Sequence, residues 1–255
     1  MRLALVSDIH GNLPALEAVL ADLARRAVDR IANLGDSLSG PLWPAETAAL
    51  LMRQDWPQLA GNHERQLLAP DRARMNASDG HARDRLGDET LAWIAALPAT
   101  LALDDDVLLC HGTPDSDLVY FLETVTPQGS RMASRAEVDA RLGDVEAGLV
   151  ACGHTHLPRT MRAGRGTLVV NPGSVGLPAY DDDHPYFHLS ETGSPDARYA
   201  IVERTDAGWR AELIALPYDH EAAAQQAERN GRPDWAHALR TGYALLPSPA
   251  GGARA

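Results

Sequence analysis

Asp8, His10, Asp36, Asn62, His63, His111, His154 and His156 are the residues of this chain whose types and spacing could do chemistry. They fall in five short segments: Asp8-Ile9-His10, Gly35-Asp36, Gly61-Asn62-His63-Glu64, His111-Gly112 and Gly153-His154-Thr155-His156. Each segment contains a glycine or lies at the end of an apolar run. Two carboxylates, an amide oxygen and several imidazoles suit two divalent cations held close together. The chemistry to expect is metal-assisted reaction at phosphate. Taken singly, each pattern reads more simply as a cap, a turn residue or a core histidine. Their recurrence at expected strand ends gives them weight.

The elements that must position these residues follow from apolar periodicity. Residues 3–7 form a short apolar run fit for a buried strand ending at Asp8. Leu16, Val19, Leu20 and Leu23 then fall at i, i+3, i+4 and i+7, with Asn12 as N-cap and Pro14 in the first turn. That order is a βα unit with its polar residues at the carboxyl end of the strand, where ligand sites of open α/β sheets collect. Residues 31–34 repeat it, running into Gly35-Asp36 before a helix over 44–52. Residues 58–60 predict a short strand before Gly61, residues 71–88 an irregular insertion or lid, and residues 89–96 a helix.

Residues 100–110 read as a hairpin around Asp104-Asp105-Asp106. Ser134 and Glu137 form a capping box for a helix through Leu142, and residues 149–152 are the strand that feeds Gly153. Hairpins are expected over 159–170 and 198–216, then helices at 220–229 and after Pro233. A βα first half and a hairpin-rich second half predict an α+β fold of two mixed sheets face to face, covered by helices. No repeat or linker forces a boundary, so residues 1–246 are expected to form a single domain and 247–255 a disordered tail.

The 255 residues, 45% hydrophobic and 23% charged, can bury a full core. No segment approaches the roughly 20 apolar residues of a membrane helix, so no membrane partner is expected. The apolar run at the N-terminus is too short for a signal peptide, and cleavage there would remove Asp8. Cys110 and Cys152 are too few for a disulfide framework; they are expected to be small buried core residues in a cytoplasmic protein. A formal charge of −12 argues against strong non-specific binding to nucleic acid. An anionic substrate is compatible with it where bound metals supply the attraction.

Five segments in this order resemble the calcineurin-like metallophosphoesterase superfamily over residues 3 to about 216. Ser7-Asp8-Ile9-His10-Gly11-Asn12 and Asn171-Pro172-Gly173-Ser174-Val175 are similar to its small bacterial phosphodiesterase branch. The resemblance implies a four-layer αββα sandwich. It implies that Asp8, His10 and His156 hold one metal, that Asn62, His111 and His154 hold the other, and that Asp36 bridges them; Mn, Fe, Zn and Ni all suit such ligands. It further implies hydrolysis of small phosphate esters, diesters ahead of monoesters, by attack of a dimetal-bridging hydroxide. His63 is then the acid for the leaving oxygen or a hydrogen-bond donor to phosphate. Asn12, Gly11 and Gly173-Ser174 are secondary candidates for shaping the site.

One departure bears on substrate. Protein phosphatases of this kind read Gly-Asp-x-x-Asp-Arg-Gly, whereas this chain reads Gly35-Asp36-Ser37-Leu38-Ser39-Gly40. The carboxylate that would orient His63 and the arginine that would grip phosphate are both missing at these positions. The alternatives are a dinucleoside polyphosphate hydrolase, a phosphomonoesterase, and a feebly catalytic metal-binding scaffold of the same fold. The run Asp181-Asp182-Asp183-His184 is expected to be a solvated loop, with a gate or an extra metal site as the other readings.

Overall fold

The computed structural model describes residues 1–246, and the expected tail, 247–255, lies outside them. In chain order the elements begin β1 (Arg2–Val6), α1 (Leu13–Leu23), β2 (Arg30–Asn33), α2 (Pro44–Leu51), α3 (Asn62–Leu67), α4 (Ala77–Arg83) and α5 (Asp88–Ala95). They continue β3 (Thr100–Asp104), β4 (Val107–Cys110), β5 (Glu123–Thr126), β6 (Gly129–Met132), α6 (Arg135–Leu142) and β7 (Leu149–Ala151). The last are β8 (Arg159–Arg162), β9 (Leu168–Asn171), β10 (Ala179–Asp182), β11 (His188–Glu191), β12 (Ala197–Thr205), β13 (Gly208–Leu216), α7 (His220–Arg229) and α8 (Pro233–Thr241).

Two mixed sheets form the centre, in the orders β13-β12-β1-β2 and β3-β4-β7-β9-β8. In the first, β1 pairs parallel with β2 and antiparallel with β12; in the second, β4, β7 and β9 are parallel and their neighbours antiparallel. Strand alternation explains the layers. Leu3 and Leu5 of β1 pack with Leu109, Ala151 and Val170 between the sheets, while Ala4 and Val6 face Leu16 and Val19 of α1. On the far side, Val150 and Val169 meet Val138 and Leu142 of α6. The order is helices, sheet, sheet, helix, as the αββα reading expected. Each fully buried leucine stabilises this arrangement by about 1.5–3 kcal/mol relative to exposure.

Three local expectations need correction. Residues 58–60 make only a single bridge, between Asn33 and Gln58, because the chain turns into α3 two residues later. Residues 71–88 are not irregular: they hold a 3₁₀ turn at Arg72–Arg74 and then α4, capped by Asn76 through the Asp79 N–H at 2.8 Å. Asp181 and Asp182 belong to β10, paired with β11, leaving Asp183 and His184 at the exposed tip. Cys110 and Cys152 are buried core residues, as expected.

Candidate active site

The carboxyl ends of β1, β2, β4 and β7 deliver the polar segments to one place. Asp8 and His10 follow β1, Asp36 follows β2, His111 follows β4, and His154 and His156 follow β7; Asn62 and His63 open α3. The six non-glycine residues with positive φ among those described are Asp8, His10, Asp36, His154, His156 and Ala27. Five of these are candidate ligands. Side chains rarely adopt that region, and its use clusters at functional sites where the surrounding structure over-determines it.

The loops are fixed by a carboxylate that the sequence did not single out. Glu64, fully buried, accepts from the N–H groups of Asp36 and Gly61 through Oε2 and of Ser37 through Oε1, all at 2.8 Å. It ties the β2 loop to the start of α3. Gly35 and Gly61 are required there, since a Cβ on Gly61 would lie 2.2 Å from Asp36 Oδ1. Ser174 Oγ donates to the Asp8 carbonyl at 2.7 Å, and Asn12 caps α1 while donating to the Gly176 carbonyl at 2.9 Å.

Imidazole tautomers follow from the partners. The Nδ1–H groups of His10, His111 and His156 donate to the carbonyls of Ser39, Leu34 and Leu177 at 2.7, 2.8 and 2.7 Å. Their Nε2 atoms therefore face inward, as metal-binding histidines are commonly held. His10 Nε2 lies 3.1 Å from His156 Nε2, and His156 Nε2 lies 3.3 Å from Asp8 Oδ1. His111 Nε2 lies 3.0 Å from Asp36 Oδ2 and 3.1 Å from Asn62 Oδ1. His154 is turned the other way: its Nε2–H donates to the Leu118 carbonyl at 3.2 Å, leaving Nδ1 for the site. The buried Asp8 Oδ1 has no hydrogen-bond partner. Acceptor atoms facing one another at these distances suit cations between them. Asp8, His10 and His156 form one group able to hold an ion, and Asp36, His111 and His154 another.

The electrostatics agree. Burial lowers the imidazoles, yet the Asp36 and Asp8 carboxylates override it at His111, which is raised to about 10. His10 and His154, lowered first by burial and then by neighbouring imidazoles, fall to about 3 and about 4. Burial opposes ionisation of Asp8, but His156 and His111 outweigh it and hold the group at about 2. The centre is thus a buried anionic pair, with a protonated His111 beside it and the neutral imidazoles of His10 and His154 around it.

His63 stands beside this centre, its ring centroid 5.4 Å from that of His10 and its side chain 20% exposed. Its backbone N–H donates to Asp36 Oδ1 at 2.9 Å, and its Nδ1–H donates to Asp79 Oδ1 of α4 at 2.7 Å. Asp79 was invisible in the sequence, lying in the stretch that read as irregular. Burial lowers His63, but Asp36 and Asp79 raise it to about 9. The departure at position 40 also has a cause: a Cβ on Gly40 would lie 2.5 Å from the His10 carbonyl oxygen and 2.8 Å from the Trp235 ring. An arginine at position 40 would not be accommodated in this packing.

A cavity of about 880 Å³ opens over the candidate ligands, lined further by Tyr120, Tyr180, Leu177, Trp235, Arg141 and Arg232. Tyr180 packs edge-on against His156 and Tyr120 against His154. Asp182, Asp183 and His184 sit close together, but they are largely exposed at a hairpin tip.

Comparison with known proteins gives a consistent answer. The family model of the calcineurin-like phosphoesterase superfamily domain matches residues 1–194. An uncharacterised protein of Methanocaldococcus jannaschii is 25% identical over 249 residues, covering 91% of this chain and 94% of that protein. The crystal structure of a metallophosphoesterase from Sphaerobacter thermophilus superposes with a TM-score of 0.74 at 26% identity, covering 95% of this chain and 99% of the other. A hypothetical protein of Pyrococcus horikoshii shares the fold with a TM-score of 0.74 at 18% identity, covering 96% and 99%.

Proposed function

Because the chain belongs to the calcineurin-like phosphoesterase superfamily, we propose that it hydrolyses small phosphate esters, diesters ahead of monoesters, with two divalent metal ions. Asp8, His10 and His156 would hold one ion, and Asn62, His111 and His154 the other, with Asp36 shared between them. The observation that carries this reading is the facing pair His10 Nε2 and His156 Nε2 at 3.1 Å. Both Nδ1 protons are committed to carbonyls, so the pair is repulsive until a proton or a metal ion lies between the two lone pairs. When bound, such ions lower the pKa of a water molecule and offset charge on phosphoryl oxygens.

The chain's own residues supply the rest. His63 holds its Nδ1 proton on Asp79 and, raised to about 9, carries a second proton on Nε2 near neutral pH, the one left to donate to the oxygen of the leaving group. The diester preference is supported by the cavity's cations. Arg141 is committed to the Phe121 and Glu123 carbonyls and to Thr124 Oγ1, and Arg232 to Asp234 and Ser78 Oγ. Arg232 is thus neutralised by Asp234, and Arg141 has three of its five N–H donors occupied, which leaves little among the described cavity residues to meet the second charge of a monoester. The cavity is roomy enough for an organic ester group, since ligand pockets run about 300–1,000 Å³.

Metal analysis of protein purified without added metal, followed by a panel of mono- and diesters with Mn, Ni or Zn, tests the proposal. Close to two ions per chain are expected, and faster turnover of bis(p-nitrophenyl) phosphate than of p-nitrophenyl phosphate. On alkyl esters, whose alkoxide needs a proton, His63→Ala should cost roughly 10²–10⁴-fold if it acts as the acid. Undiminished turnover by metal-stripped protein, or no hydrolysis of any ester with metals restored, would refute it.

A further inference from the structure

The carboxylate that orients His63 comes from an unexpected element. We infer that Asp79 of α4 is a positioning residue for His63, doing from the segment after α3 what no residue following Asp36 can do. The inference rests on the phosphoesterase reading above.

Proton accounting around Asp79 carries the argument. The side chain is 2% exposed. Its Oδ1 accepts from His63 Nδ1 at 2.7 Å, and its Oδ2 accepts from Asn76 Nδ2 at 2.7 Å. Asn76 cannot turn over to help, because its Oδ1 already accepts the Asp79 N–H at 2.8 Å as the cap of α4. Asn76 is thus fixed as a donor, and the proton shared with His63 sits on the imidazole, the stronger base of the two, so both neighbours donate. Only an acceptor at both oxygens, an ionised carboxylate, satisfies the two together. The consequence falls on His63: with Nδ1 fixed as a donor, Nε2 is the atom directed away from Asp79.

The helix that bears Asp79 is itself held from two sides. Arg72 Nη2 donates to the Gly80 carbonyl at 2.6 Å and pairs with Asp84 at 2.7 Å. Arg232, the N-cap residue of α8, donates to Ser78 Oγ at 2.7 Å across the cavity mouth while paired with Asp234. Arg72 and Arg232 thus hold α4 at Ser78 and Gly80, the neighbours of Asp79. A helix of seven residues with little apolar surface would otherwise be a poor mount for an orienting group.

Asp79→Asn tests the idea because asparagine must present an N–H₂ to one of the two donors. Keeping Asn76 means presenting it to His63, whose Nδ1 must then become an acceptor. In nitrogen-15 spectra of metal-free protein, with His63 assigned by comparison with His63→Gln, the Nδ1–H signal should be present in wild type and absent in Asp79→Asn.

In metal-loaded protein the loss should depend on the leaving group. For glycerophosphoethanolamine, whose alkoxide needs a proton, kcat should fall on the order of 10²–10³-fold with KM little changed. For bis(p-nitrophenyl) phosphate, whose phenolate leaves unaided, the fall should be less than about tenfold. Asp79→Glu should restore part of the alkoxide reaction.

An Nδ1–H signal that persists in Asp79→Asn, or equal losses for both substrates, would overturn the inference and leave the phosphoesterase reading standing. No hydrolysis of either substrate by loaded wild type would sink that reading, and this inference with it.

Discussion

At the scale of single residues, the centre is built against its own stability, which is the signature of a site made for something it binds. Asp36 lies 3.0 Å from His111 Nε2 and accepts the His63 backbone N–H through its other oxygen. Without a cation, His111 must be protonated to make that contact favourable, which is why its pKa rises. Asp36→Asn removes the conflict. The amide keeps the bond from His63 through Oδ1 and offers N–H₂ to His111, which can then accept as neutral imidazole. The metal-free variant is therefore expected to melt at least as high as wild type, while it binds less than one full pair of ions and loses at least about a hundredfold in turnover. Calorimetry, metal analysis and ester hydrolysis on one preparation check this. A lower melting temperature together with intact metal content would mean that Asp36 serves the fold.

At the scale of elements, the junctions carry the site. Gly61 precedes α3 with φ −91° and ψ −170°, an extended conformation open to any residue, so its requirement is steric and not conformational. An added Cβ would lie 2.2 Å from Asp36 Oδ1 and 2.8 Å from Asp36 N, and both atoms are pinned, by His63 N–H and Glu64. Gly61→Ala should cost about 1–3 kcal/mol by overpacking. It should reduce metal affinity more than tenfold with an unchanged far-ultraviolet spectrum; retention of both ions in a metal titration would contradict this account. Junctions also mark what the sequence could show. The candidate ligand residues were legible because each follows a short apolar run that reads as a strand, and the βα units and late hairpins were legible from the same periodicity. Asp79 was not, because α4 has no apolar repeat to announce it and is held by Asn76, Arg72 and Arg232, contacts from residues up to 154 positions away. Glu64 stood in a quoted segment, but its three backbone partners lie on loops whose approach only the packed sheets create.

At the scale of the whole molecule, the two sheets bring four strand ends together, and the charges gathered there set how the fold responds to pH. His10 and His154 are held well below their ordinary value of 6.5, at about 3 and about 4. Their neutral forms are the folded ones. Their contribution is complete above about pH 6.5 and is lost as pH falls toward 3–4, because the unfolded chain takes up protons that the native state refuses. His111 and His63 run the other way, raised to about 10 and about 9 by Asp36 and its neighbours. Their contribution is complete below about pH 6.5 and is lost as pH rises through 9–10. Metal-free protein should therefore melt highest near pH 6.5 and lower on both sides. Loading with two divalent ions should flatten the alkaline limb, since the ions take over the role of the proton on His111 beside Asp36, and should steepen the acid limb, where protons compete for the ligands. Melting temperatures of stripped and loaded protein from pH 4 to 10 decide the matter. An alkaline limb of equal slope in both would mean that the positive charge stabilising this anionic centre is not supplied by metal ions bound there.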